Sequence, residues 1–181
     1  EQDIIALYGS IVKAMNQLST IRTQVDSQQI SLQEALIYYT HLNVKLLSIS
    51  KIISHLSTDA HITQNIIAYY NFLQGKERAG IERAVMTSVF AHKEFTSNLY
   101  QRFIALITEQ QAYFDTFTKM STIPLKQKFT EAMRHASVAK VESSRGAALT
   151  SKGVEPLSVD SVEWFNNTTL RINQLKKVEN A

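Results

Sequence analysis

Cysteine is absent from the 181 residues, which excludes disulfides, thiolate chemistry and Cys-based zinc sites and fits either a reducing or an oxidising compartment. Proline occurs only at Pro124 and Pro156, and glycine only at Gly9, Gly75, Gly80, Gly146 and Gly153. Sheet domains of this size draw on many tight turns rich in those two residues, so the scarcity points to long helices with few connections. No apolar run approaches the roughly 20 residues that cross a bilayer, and no signal peptide is present. A basic stripe is missing too. The 19 basic residues are scattered among 16 acidic ones, with Lys176–Lys177 the only adjacent pair, so this segment is expected to bind no nucleic acid. One small anion, by contrast, needs only two or three well-placed cations.

Catalytic constellations are equally scarce. His41, His55, His61, His92 and His135 show no ligand spacing with carboxylates. There is no His-Glu-x-x-His, no phosphate-cradling glycine loop and no Gly-x-Ser-x-Gly elbow. Ser143, Ser144 and Ser151 have no base nearby in sequence. No metal, no cofactor and no enzymatic activity are therefore expected.

What is present is helical periodicity. A hydrophobic content of 44% supplies a continuous core. Ile4, Leu7, Ile11, Met15, Leu18, Ile21 and Val25 recur at three-four spacing in a first helix. Ser31 followed by Glu34 forms a capping box for a second, which ends near His55. Ser57-Thr58-Asp59 opens a third helix reaching about His92, and Thr96 caps a fourth. Ser121 or Thr122 ahead of Pro124 starts a fifth, running toward Leu149 with a weak point at Gly146 and ended by Gly153 and Pro156. Ser158 caps a sixth. The expected fold class is all-α, an antiparallel up-and-down helical bundle of long helices, with residues 1–181 as one domain. Both ends read as helix, so a piece of a longer protein is expected.

The segment that carries chemistry is Lys76-Glu77-Arg78-Ala79-Gly80-Ile81-Glu82-Arg83-Ala84. Ile66, Tyr70, Leu73, Ile81 and Ala84 share one apolar face, and Glu77 falls near its middle. A buried carboxylate costs several kcal/mol, roughly, unless paired, so a cation from another helix or subunit is expected to reach Glu77. Lys76 and Arg83 lie on nearly one line, with Ala79 and Gly80 between them as a notch. Arg78 and Glu82, spaced i, i+4 on the opposite side, read as a surface ion pair. A guanidinium matches the edge of a planar oxyanion, which makes Arg83 the leading ligand candidate. Arg83 and Glu77 serving only helix packing stands beside that reading.

These nine residues resemble the signature of the NIT family, the nitrate- and nitrite-sensing domains of bacterial receptors and antiterminators. The tail Val162-Glu-Trp164-Phe165 through Arg171-Ile172 to Val178-Glu179 is similar to that family's closing helix. The resemblance implies paired four-helix bundles, no catalysis, and nitrate or nitrite held by Arg side chains. It assigns ligand binding to Arg83 and Arg78. Position alone makes Arg145, in Ser143-Ser-Arg145-Gly146-Ala, a further donor from a facing helix, and the helical face gives supporting places to Glu77, Gly80 and Lys76. The family's additional Glu-Arg-Gly motif on an early helix finds no match before Lys76. A homodimer and an output domain in the same parent chain are implied as partners, the outputs ranging from chemotaxis signalling to antitermination. The implied placement is a periplasmic domain of an inner-membrane protein, with the cytoplasm as the alternative. A ligand-free dimerisation bundle, or a sensor for another small anion such as a carboxylate, are the rival readings.

Overall fold

The structure is a computed structural model, and it describes residues 2–151 and 157–181. Among these residues the chain is all-helical, as expected, with seven helices. They are α1 (Gln2–Asp26), α2 (Leu32–Leu56), α3 (Ala60–His92), α4 (Ser97–Met120), α5 (Ile123–Ala132), α6 (Ala136–Thr150) and α7 (Ser161–Glu179). Two compact units divide the chain, Glu1–Tyr70 and Asn71–Ala181.

In the first unit α1 and α2 form an antiparallel hairpin. The Tyr38 hydroxyl donates to the Ala14 carbonyl at 2.6 Å, while Ile4, Leu7 and Ile11 share a groove with Ile49, Ile52 and Ile53 from the other end of α2. Gln28, at φ 56°, turns the chain between the two helices. The capping box at Ser31 and Glu34 is formed in full. Asp59 accepts from the backbone N–H groups of His61 and Ile62 at the start of α3.

The second unit packs the later part of α3 with α4 to α7. Phe72 stacks near Phe117 and Glu82 meets Gln110, so α3 and α4 run antiparallel. Lys76 reaches Glu179 and Phe90 reaches Trp164, so α3 and α7 do too. The single fifth helix expected from the sequence is two. His135, with extended backbone, caps α6 by accepting from the Ser137 N–H at 3.2 Å, and that cap breaks the run after Ala132. The helix passes through Gly146 without interruption. The last helix is capped by Asp160, not Ser158, because the Asp160 carboxylate accepts from the Glu163 N–H at 2.7 Å. The expected stop at Gly153 and Pro156 falls outside the described residues.

Two apolar layers fill this unit. At one end Phe72, Phe114, Phe117 and Phe129 pack ring against ring, with centroids between 4.9 and 6.3 Å apart. At the other, Met86, Val89, Phe90, Phe103, Val141 and Trp164 form the main core. Burial of each large side chain stabilises by about 1.5–3 kcal/mol. Along α3 and α4 the stretch between the two layers is polar.

The glycine that matters for packing is Gly75, not Gly80. A Cβ at Gly75 would lie 2.6 Å from Phe114 Cε1, inside the aromatic layer, whereas a Cβ at Gly80 meets nothing within 4 Å. Gly75→Ala is expected to destabilise by about 1–3 kcal/mol through overpacking. Gly80→Ala should be neutral or stabilise by up to about 1 kcal/mol. Urea denaturation of both variants checks this, and the reverse order would contradict the packing of α3 on α4.

Candidate functional site

The polar stretch of α3 centres on Glu82. Its neighbours Ala79 and Met86 are buried on the same line of the helix, so its carboxylate points into the bundle with an exposure of 0%. Arg145 of α6 binds it with a two-point grip: Nε donates to Oε1 at 2.7 Å and Nη2 to Oε2 at 2.5 Å. The remaining nitrogen, Nη1, donates to Glu142 at 2.7 Å, a carboxylate more than half exposed to solvent.

Gln110 of α4, also buried, completes the layer. Its amide nitrogen donates to Glu82 Oε2 at 2.8 Å and to the Leu106 carbonyl at 3.1 Å. Both donors are thereby taken, and the amide oxygen faces two guanidinium groups. It accepts from Arg145 Nη2 and from Arg171 Nη1, each at 3.0 Å.

Arg171 of α7 differs from Arg145 in what surrounds it. Only 5% exposed, it makes no ion pair among the described residues. Its Nε is buried with no hydrogen-bond partner there. Burial, and then the neighbouring Arg145 charge, push its pKa down to about 10, against the pull of Glu82 and Glu142. Arg145 moves the other way, since its contacts with Glu82 and Glu142 outweigh burial. Arg171, Arg145, Gln110 and Glu142 line a cleft of about 310 Å³, floored by Phe114 and Phe129.

The residues singled out from the sequence are distributed differently from expectation. Glu82, expected on the surface, is the buried carboxylate. Arg78 does not pair with it: Arg78 donates to Glu109 at 2.8 Å and to Gln74, and lies over the Tyr113 ring. Glu77 is only half-buried. The apolar face inferred from Ile66 to Ala84 is thus rotated from the buried line of the second unit, which runs through Phe72, Gly75, Ala79, Glu82 and Met86. Lys76 does not flank an open notch, because it is tied to Glu179 of α7. Arg83 donates to the Thr169 hydroxyl at 2.9 Å and lies 4.9 Å over the Phe165 ring, with no carboxylate partner among the described residues. Trp164 anchors helix packing, its indole N–H donating to the Arg83 carbonyl at 3.1 Å. Arg145 is brought to Glu82, 63 residues earlier in the chain.

Arg171 and Gln110 were not singled out as site residues by the sequence reading. Gln110 sits on the apolar stripe between Leu106 and Phe114, and a polar residue on such a stripe is a signal for a buried network. Arg171 recurs with Thr168 and Leu175 on the buried line of α7, which is the same signal.

Fold and site together define a helical-bundle module with an under-paired guanidinium inside it. The model of the NIT family, nitrate and nitrite sensing, matches residues 1–181. The chain belongs to that family. It is 32% identical over 163 residues to the nitrate regulatory protein of Klebsiella oxytoca, covering 90% of this chain and 41% of that protein. The solved structure of the NasR transcription antiterminator is similar with a TM-score of 0.89 at 28% identity, over 99% of this chain and 48% of that one. The chain therefore spans less than half the length of these relatives. Their nature overturns the expected periplasmic placement within a membrane receptor, since one is a regulatory protein and the other a transcription antiterminator. Among the described residues, no helix is long and apolar enough to cross a membrane.

Two expectations follow. Removing Glu82 leaves Arg145 buried without its main partner, so Glu82→Ala should destabilise by about 3–5 kcal/mol. Glu142→Gln, at a largely exposed carboxylate, should change stability by about 1 kcal/mol or less; urea titrations of the two variants measure the contrast. At Glu179, burial raises the carboxyl pKa, but hydrogen bonds and charge from Lys76 and Lys176 outweigh it and hold it below the usual range. A carboxyl depressed in the folded state stabilises above its unfolded pKa, and the contribution is lost as pH falls through the folded value. Melting temperatures followed down the acid limb should fall less steeply for Lys76→Met than for the parent chain.

Proposed function

We propose that this chain is the ligand-binding module of a nitrate- and nitrite-responsive regulator, and that the anion binds at Arg171 beside Arg145. The observation that carries the proposal is the buried Arg171 guanidinium, with Nε unpartnered and one neutral contact to Gln110. A desolvated cation so poorly compensated favours capture of an anion. Its planar fork matches the edge of nitrate or nitrite, or of a small carboxylate. The apolar layers on either side exclude water, which strengthens the interaction. Family membership and the regulatory names of the relatives favour binding over catalysis and nitrate or nitrite over other anions.

Arg83 is the second position for the ligand, because it too lacks a carboxylate partner among the described residues, and burial lowers its pKa. Arg78 keeps a minor part, since Glu109 already engages it. The two compact units act as one sensor domain. Ligand binding draws α6 and α7 together around the anion, and α7 passes the displacement to an output domain in the parent chain, or to a second subunit. Such coupling requires that the anion bind one helix arrangement better than the other.

Calorimetric titration with nitrate and nitrite tests this. Arg171→Ala should abolish the binding heat while Arg83→Ala weakens it by a smaller factor. Undiminished heat with Arg171→Ala would remove Arg171 from the site, and loss with Arg83→Ala alone would move the site to the α3–α7 surface.

A further inference from the structure

The polar layer holds three buried ionic side chains, and their charges do not cancel. Glu82 contributes one negative charge, Arg145 and Arg171 one positive charge each, and Gln110 none. The two-point grip of Arg145 on Glu82 satisfies that pair internally. Two further carboxylates line the cleft, Glu142 and Asp115; both residues are exposed, and water screens their charges far more than that of a buried group. The interior surplus is one positive charge, and it sits on Arg171.

Resting on the assignment of the anion to Arg171, we infer that Glu82 sets the valence of the ligand: as a built-in counter-ion to Arg145 it leaves room for one monovalent oxyanion and turns away divalent ones. A monovalent ion entering the cleft brings the layer to neutrality. A divalent ion leaves a net negative charge beside Glu82, where the apolar layers give little screening. Gln110 assists as a positioning residue. Its donors are spent on Glu82 and Leu106, so only its carbonyl oxygen reaches the two guanidinium groups, and it separates them without adding charge. The site therefore distinguishes anions by charge first and by shape second.

Shape and charge separate experimentally, because perchlorate and sulfate are both tetrahedral while nitrate and perchlorate are both monovalent. Dissociation constants for the three ions, at matched ionic strength and neutral pH, are to be measured by calorimetry on the whole chain. The chain itself should bind nitrate and perchlorate more tightly than sulfate by at least about tenfold. In Glu82→Gln the interior surplus becomes two, and the sulfate-to-perchlorate affinity ratio should rise by at least about tenfold. An unchanged ratio overturns the inference, as does sulfate binding to the parent chain as tightly as perchlorate.

If Glu82→Gln does not fold, as circular dichroism will report, the double variant Glu82→Met with Arg145→Met removes both charges and replaces the pair by apolar volume, an exchange that buried ion pairs often tolerate. It retains a surplus of one and must keep the preference for monovalent ions. Gain of sulfate binding relative to perchlorate in the double variant contradicts the assigned role, and loss of all binding contradicts the premise that the surplus charge sits on Arg171 alone. Arg171→Ala separates the two layers of argument. Nitrate binding that survives in it defeats the site assignment; loss there together with an unmoved ratio in Glu82→Gln defeats only the inference about valence.

Discussion

The second unit depends on a carboxylate placed where water does not reach. Glu82 lies in the second half of α3, between an aromatic layer built around Phe72 and Phe114 and an apolar core built around Phe90 and Trp164. A charge in that position is tolerable only if its partner arrives with good geometry and its spare lone pairs are filled. Arg145 supplies the geometry from α6 and Gln110 fills the remainder from α4. The ion pair therefore fixes the register of three helices at once. It does so at a cost in desolvation that an apolar layer would not incur. The return is the environment it creates for Arg171, which shares Gln110 with the pair but has no carboxylate partner of its own among the described residues.

That asymmetry between two buried arginines carries the functional argument. Arg145 is matched donor for acceptor, and its contacts hold its pKa above the ordinary range. Burial, and then the Arg145 charge, lower the Arg171 pKa to about 10 against the coulombic pull of Glu82 and Glu142, neither of which forms an ion pair with it. A bundle that merely needed to fold would gain from an apolar residue at position 171. The proposed anion site gives the under-paired cation a use consistent with membership of a nitrate- and nitrite-sensing family. The relatives named for nitrate regulation and transcription antitermination are more than twice as long as the matched segment.

Most of the architecture was legible in the sequence. The shortage of glycine and proline and the three-four spacing mark the helices, and the caps at Ser31 and Thr96 and the proline after Thr122 mark the starts of three of them. The break at His135 was not legible, because a histidine ring accepting from the backbone is an uncommon cap and the apolar spacing continues through it. The site was half legible. The segment from Lys76 to Ala84 does carry the central carboxylate, yet periodicity pointed to Glu77 in place of Glu82. The buried line through Phe72, Gly75, Ala79, Glu82 and Met86 includes a glycine, an alanine and the carboxylate itself, so a face drawn through the larger apolar residues misses it. Arg171 was hidden for another reason. Its distinction lies in what does not pair with it, and a missing partner leaves no trace in a linear sequence.

The measurement closest to the central claim is the nitrogen-15 resonance of each arginine Nε–H, followed by nuclear magnetic resonance as nitrate is added. Arg145 should show a protected, hydrogen-bonded Nε–H at every nitrate concentration, because Glu82 holds it throughout. Arg171 should begin with an Nε–H that exchanges with solvent through local opening, then shift and become protected as nitrate saturates the site. An Arg171 resonance that does not move at saturation, or an Arg145 resonance that moves in its place, would contradict the account.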